Sequence, residues 1–293
     1  MSKNVFITGA NGGFGRLTTL SLLEAGHRVV ATMRNIETRN LDAANQLRAA
    51  GAHVVELDVT DDDSVAGAVA NAVELVEGLD VIINNAGVGS IGLLETFTPA
   101  DWQAVFDINV FGVQRVSRAA LPLMRKQGSG LLVVLSSVVG RVALPFFGPY
   151  NAAKFAVEGL AETYRSELSA LGIETCVVEP GAYPTNFIDG LMQSSDRSRD
   201  GSYGDMVHAP QSTFASFEGA MASSPAQNPQ NVADAIVALV HTPAGERRFR
   251  TVVDSLGMGD AITPYNEAAE QMTAAIYGAF GMADMLAVNA GAS

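Results

Sequence analysis

Residues 5–15 read Val-Phe-Ile-Thr-Gly-Ala-Asn-Gly-Gly-Phe-Gly, a short apolar run that breaks at once into glycines at positions 9, 12, 13 and 15. A chain without Cβ atoms can reverse sharply there and let its backbone come close to another backbone or to a ligand. Leu17, Leu20 and Leu23 follow at helical spacing, with Gly26 as the stop. Strand, glycine turn and helix open a βαβ unit, and the same alternation continues along the chain. It predicts an α/β fold with a doubly wound parallel sheet.

Further strands are expected at Val29-Val30-Ala31, at 54–57, at Val81-Ile82-Ile83, at 131–135 and at 175–178. Thr60 is expected to cap a helix whose apolar face is Val65, Val69, Ala72, Val73 and Val76, with Asp63 completing a capping box. Thr98-Pro99 opens a long helix reaching about Lys126, with Asp101 at the capping-box position. Another helix is expected over 152–171. Regularity fails after Thr185. Residues 186–230 are rich in Ser, Gly, Asp and Met, and so long an irregular stretch inside a compact domain predicts a substrate lid. Asn228-Pro229 then starts a helix carrying Val232, Ile236, Val237 and Val240, Phe249 to Val253 forms a last strand, and 264–280 is helical. With no repeat and no linker, 1–293 reads as one domain with a lid at 186–230 and a C-terminal extension at 254–293.

Composition narrows the function. Lys+Arg 18 against Asp+Glu 31 gives a net charge of −13, which repels phosphate backbones and anionic lipid surfaces, so neither nucleic acid nor a membrane is expected as a partner. Cys176 is the single cysteine, in an apolar run, and the N-terminus lacks an apolar signal core, so a cytoplasmic location is expected. His27, His53, His208 and His241 show no metal-ligand spacing and read as solvated loop positions; no metal is expected. The acid is densest after Thr185, where Arg247, Arg248 and Arg250 form a basic cluster read as bordering a substrate entrance.

Three features then converge. The glycines follow the spacing Gly9-x-x-x-Gly13-x-Gly15, Asn84-Asn85-Ala86-Gly87 follows the fourth strand, and Tyr150-x-x-x-Lys154 lies on the helix after the fifth, one turn apart on one face. Together they resemble the short-chain dehydrogenase/reductase family, in its single-domain branch, over about residues 3 to 185. The resemblance implies a Rossmann-type fold, a nicotinamide cofactor, and a catalytic set of Asn109, Ser137, Tyr150 and Lys154. Ser137 lies thirteen residues before Tyr150, the spacing this family uses, which leaves Ser136 as its structural neighbour.

The chemistry of such a set follows from the reaction. Hydride transfer to a ketone leaves negative charge on oxygen, so an acid must stand close to that oxygen. Tyr150 would be the acid, or the base in the oxidative direction, with the Lys154 ammonium beneath it favouring the phenolate and holding the ribose. Ser137 would orient the substrate oxygen and Asn109 would position a relay water. The resemblance assigns cofactor contacts to Gly9, Asn11, Gly12, Gly13, Phe14, Gly15, Asp58, Val59, Asn85, Ala86, Gly87, Tyr150, Lys154, Pro180, Gly181 and Thr185. After the second strand there is no acid for a ribose 2′-hydroxyl, and Arg34 suits a 2′-phosphate, so NADP(H) is favoured while NAD(H) stays open.

The residues expected near the nicotinamide, 89–94, Leu144, Phe146, Phe147, Tyr183 and Met192, are mostly apolar or aromatic. They suit a hydrophobic ketone, aldehyde or alcohol. Phe146 and Phe147 fit core packing equally well. An NAD-dependent secondary-alcohol dehydrogenase and a cofactor-binding sensor without turnover are the rival readings, and the family resemblance adds a homo-oligomer.

Overall fold

The structure, a computed structural model, describes residues 2–288. The outermost positions of the expected 1–293 domain, residue 1 and residues 289–293 of the C-terminal extension, lie outside the described residues.

The chain begins β1 (Asn4–Thr8), α1 (Gly13–Glu24), β2 (Arg28–Met33), α2 (Leu41–Ala49), β3 (His53–Glu56), α3 (Asp62–Val76) and β4 (Val81–Asn84). The short β5 (Ser90–Ile91) precedes α4 (Pro99–Phe106), α5 (Gly112–Gln127), β6 (Gly130–Leu135), α6 (Gly148–Leu168) and β7 (Ile173–Pro180). The last third holds β8 (Met192–Gln193), α7 (Ala209–Ala222), α8 (Gln230–His241), β9 (Arg250–Val253) and α9 (Met258–Ala279).

Seven strands form one parallel sheet in the order β3-β2-β1-β4-β6-β7-β9. Alternation along β1 explains its two faces: Val5 and Ile7 pack with Leu22, Leu47 and Ile236, while Phe6 packs with Val69, Ala72 and Met124. Strand order reverses between β1 and β4, and the crevice beyond the strand C-termini at that point is where such sheets bind ligands.

Several expectations shift. The cap of α3 is Asp61, whose carboxylate accepts from the Ser64 N–H, one place after Thr60; Thr60 instead donates to Asp58. The predicted long helix is broken at 107–111 by a π-helical turn between α4 and α5. The helix expected from 152 starts at Gly148, because Pro149 suits the first turn. The irregular segment contains α7, with Pro210 in its first turn and only Pro210 and Met221 buried, so a single short apolar row is all that announces it. α2 was also not anticipated, since only Ala44 and Leu47 of it are buried.

His27 is buried, against expectation, because the turn between α1 and β2 tucks under the C-terminus of α8: its Nε2 lies 2.9 Å from Nε2 of His241. The arginine cluster is not at an entrance. Arg247 pairs with Glu174, and Arg250 pairs with Glu158 and Glu162, with both guanidinium groups buried.

Candidate functional site

A cavity of about 610 Å³ runs along the C-terminal edge of the sheet from the end of β2 to the start of α6. At its centre is the uncapped start of α1. Gly12 occupies the N-cap without a side-chain hydrogen bond and no acid stands in the first turn, so the first N–H groups and the positive end of the helix dipole are free for an anion.

Gly9 and Gly13 have φ of +68° and +49°, which L side chains resist. The glycine at 15 serves packing rather than the cavity: a Cβ there would stand 2.3 Å from the Gly9 carbonyl oxygen. Of the cofactor positions anticipated from sequence, Gly15 alone is absent from the cavity wall. Asn85 anchors the glycine loop, its amide donating to the carbonyls of Thr8 and Gly9 at 2.8 and 3.1 Å.

At the β2 end Arg34 lies 3.6 Å from Asp58. Burial pushes the Asp58 carboxyl up, but hydrogen bonds from the Thr60 N–H and hydroxyl, together with Arg34, hold it below its ordinary value. Arg39, with Asn35 and Asn40, lines this same end and was missed from sequence; the signal was a second cation five residues after Arg34. Glu56 caps this loop, accepting from the Ile36 N–H at 2.9 Å and from Asn35.

The other end gathers Ser137, Tyr150 and Lys154. Ser137 donates to the Pro180 carbonyl oxygen at 3.2 Å and stands beside the Tyr150 phenol. Ser136 Oγ has no hydrogen-bond partner. Lys154 Nζ donates to the Leu135 carbonyl at 2.7 Å and lies 5.6 Å from the Tyr150 ring centroid. Burial pushes the Tyr150 phenol up to about 12, with Ser137 pulling weakly the other way. The expected lowering by Lys154 is therefore not what dominates here, because a buried phenolate loses its hydration and the ammonium is engaged with Leu135. Burial lowers Lys154 itself to about 8, against the opposing charge of Glu158.

Asn109 sits in the π turn, 1% exposed rather than solvated, and is not part of the cavity wall. A π turn leaves the carbonyl four residues back without its usual partner, and Asn109 supplies one: its amide donates to the oxygens of Val105 and Val88, both at 2.9 Å. Its oxygen accepts from the Val88 N–H at 3.3 Å. A Cβ at Gly87 would stand 2.9 Å from that oxygen and 3.8 Å from Lys154 Nζ, so Gly87 is where Asn109 and Lys154 meet.

On the substrate side, Leu144, Phe147 and Tyr183 line the cavity, as anticipated. Residues 89–94 and Phe146 do not; of the Met192 region of the lid, Gly190 and Leu191 line the cavity while Met192 itself does not. Ile91, Gly92 and Leu93 instead line a second cavity of about 380 Å³, and Phe146 takes a φ of +72° that presents its carbonyl to the Gly92 N–H. Missed from sequence were Phe187, whose ring lies 5.6 Å from that of Tyr150, and Phe214, Phe217 and Met221 of α7. Their spacing of three and four was the available signal for a helix.

Comparison with known proteins agrees with this architecture. The family model described as short chain dehydrogenase matches residues 3–195. A 3-ketodihydrosphingosine reductase of Bacteroides thetaiotaomicron is 36% identical over 201 residues, 69% of this chain and 71% of the relative. Retinol dehydrogenase 8 of Homo sapiens is 34% identical over 256 residues, 85% of this chain and 81% of its own. Among solved structures, a short chain dehydrogenase/reductase from Burkholderia phymatum in complex with NAD superimposes with a TM-score of 0.75 at 26% identity, over 92% of this chain and 95% of that one. With the matched model spanning the glycine loop, the π turn and the Tyr150–Lys154 helix, the chain belongs to the short-chain dehydrogenase/reductase family of oxidoreductases.

Proposed function

We propose that the protein is an NADP(H)-dependent oxidoreductase that interconverts a bulky hydrophobic ketone or aldehyde and the corresponding alcohol, with Tyr150 as general acid and base. The observation that carries this reading is that one cavity holds Ser137, Tyr150 and Lys154 at one end and an uncapped helix N-terminus followed by Arg34 and Arg39 at the other. The free N–H groups of α1 would hold a pyrophosphate, Asp58 and Val59 an adenine, Lys154 the ribose hydroxyls, and Pro180, Gly181 and Thr185 the carboxamide. Bound there, the nicotinamide supplies or accepts the hydride.

The protein's own groups handle the proton. Tyr150, protonated up to about 12, is loaded as a donor to the carbonyl oxygen, which suits reduction. Ser137 holds that oxygen in reach of the phenol. Lys154 offsets the charge on Tyr150 once its proton has left. Asn109 fixes the backbone of Val88 and so the wall at Gly87, and would hold the water that relays the proton. Residues 186–222 form a lid over the substrate, whose apolar body rests against Phe147, Phe187, Phe214 and Phe217. The relatives that act on a ketodihydrosphingosine and a retinol support a bulky hydrophobic substrate. Phe111 and Phe155, 52% and 43% exposed, support pairing with a second copy.

Tyr150→Phe tests the reading. Ketone reduction followed by NADPH absorbance should fall about 10³-fold while NADPH still quenches tryptophan fluorescence; retained reduction would sink the assignment. The NAD-dependent reading has one observation in its favour, the pairing of Arg34 with Asp58, which neutralises the cation. Arg34→Ala separates the two: on the NADP(H) reading the KM for NADPH rises about tenfold and that for NADH changes little.

A further inference from the structure

One turn along α6 from Lys154 lies a buried charged cluster that no step above uses. Glu158, 2% exposed, accepts from Arg250 Nε at 3.0 Å, and the Arg141 guanidinium lies 3.9 Å from the same carboxylate oxygen. Glu179 of β7, fully buried, meets the same two arginines at 3.5 and 3.9 Å and accepts from Asn266 of α9 at 2.5 Å. Gly140 leaves room for the approach of the cluster to α6: a Cβ there would lie 3.1 Å from the Lys154 carbonyl and 3.2 Å from Glu158 Cγ.

Two oxygens in this cluster, Oε1 of Glu158 and Oε1 of Glu179, have no hydrogen-bond partner among the described residues although both are buried. Two carboxyl groups facing each other in such a site satisfy both orphans by sharing one proton. Burial and the Glu158 charge both push Glu179 upward, so Glu179 is the one that takes it. Glu158, paired with both arginines, stands at i+4 from Lys154 on a common helix face, where neighbouring Cβ atoms are about 5–6 Å apart.

Lys154 needs such a neighbour. It is 6% exposed, its hydrogen bond goes to an uncharged carbonyl, and the Tyr150 ring centroid lies 5.6 Å from its Nζ. The charged groups facing Glu158 are Arg250 from β9, Arg141 from the turn after β6, Glu179 from β7 and, through Arg250, Glu162 from α6. The geometry points to Glu158, one helical turn from Lys154 and held in place by Arg250 and Arg141, as a positioning residue that keeps Lys154 charged. For its part in the reaction this rests on the reading of Lys154 above.

The protein contains three lysines, Lys3, Lys126 and Lys154. Labelling lysine Cε with ¹³C therefore gives three NMR signals, and Lys3→Arg and Lys126→Arg assign the third without touching the site. In Glu158→Gln the Lys154 midpoint falls by about one pH unit, because the ammonium loses its nearest anion. The alkaline limb of kcat/KM for ketone reduction moves down with it. Glu158→Asp keeps the charge and restores both midpoints to within a few tenths of a unit, and Glu179→Gln leaves Lys154 where it was. A single Glu158→Gln leaves buried Arg250 short of a counter-charge and can fail to fold. Glu158→Gln with Arg250→Gln removes that penalty and must still lower the Lys154 midpoint, by less than the single variant because a cation leaves with the anion. A Lys154 signal titrating as in the parent in both variants that carry Glu158→Gln overturns the inference. A shifted signal with an unmoved rate profile supports the link between Glu158 and Lys154 and overturns instead the placing of Lys154 in the reaction.

Discussion

The two ends of the substrate cavity are built from different kinds of bond. On the sheet side the chemistry-bearing groups are tied to backbone in the interior: Asn109 to Val88 and Val105, Asn85 to Thr8 and Gly9, Lys154 to Leu135, Ser137 to Pro180. On the lid side the ties are between exposed side chains: Glu95 pairs with Arg199 and accepts from Tyr203 at 2.7 Å, and Asp101 accepts from Ser195 at 2.8 Å. Water and salt compete with the second set and hardly with the first. Proton transfer needs its partners placed to within a few tenths of an ångström, and recognising a bulky apolar body does not. The difference in anchoring follows the difference in demand.

Gly87→Ala attacks the sheet side where it is tightest. The new Cβ would press on Asn109 Oδ1 at 2.9 Å, and Asn109 has no freedom to yield because both ends of its amide are engaged with backbone. A displacement of about 1 Å passed to Val88 and Lys154 is expected to lower kcat about 100-fold in steady-state ketone reduction, with an unfolding midpoint near the parent's. Parental kcat would show that the grip of Asn109 on the wall is not needed for turnover.

Phe217→Ala, on the lid side, should act on KM instead. The Phe217 ring packs edge-on against Phe147 with centroids 6.1 Å apart, and both rings line the cavity. Removing it takes away apolar contact worth about 1–2 kcal/mol to a ligand large enough to reach it. The KM for a bulky ketone rises about tenfold, that for acetone-sized ketones stays, and kcat changes little for either. An equal rise for small and large ketones would place Phe217 in the architecture of the site as a whole.

The same contrast explains what could be read from the sequence. β1, β4 and β6 are buried on both faces, so their central residues form unbroken apolar runs, and the glycine turn and the Tyr150–Lys154 pair sit at fixed places relative to them. Residues so tied converge on one cavity because the sheet leaves them no alternative. The π turn at Asn109 was invisible because it changes which carbonyl is bonded, not which side chains are apolar. α7 escaped notice since it rests on the protein through few residues, and its one apolar row, Phe214, Phe217 and Met221, is short and set among Ser, Gly and Ala. The arginines at 247 and 250 misled because a buried cation and a solvated one look alike until their partners, Glu174 and Glu158, are brought from far along the chain.

The smallest expected effect tests the lid anchors themselves. Glu95 and Arg199 are about half exposed, at 52% and 50%, so the pair joins two groups that water already solvates well. Glu95→Gln removes the charge that both Arg199 and Tyr203 address while keeping an acceptor for the phenol. The unfolding midpoint should then stay within about 1 °C of the parent, because the sheet and its two buried faces do not feel the change. What changes is access to the chain: limited trypsin digestion at Arg197 and Arg199 should speed up severalfold, and NADPH with a bulky ketone should slow it again by favouring the covered state. Added salt should bring the parent towards the variant, since it screens the same exposed pair. If cutting is equally slow in parent and variant at every salt concentration, the segment is held by its apolar contacts alone, and the contrast between a rigid floor and an openable cover fails.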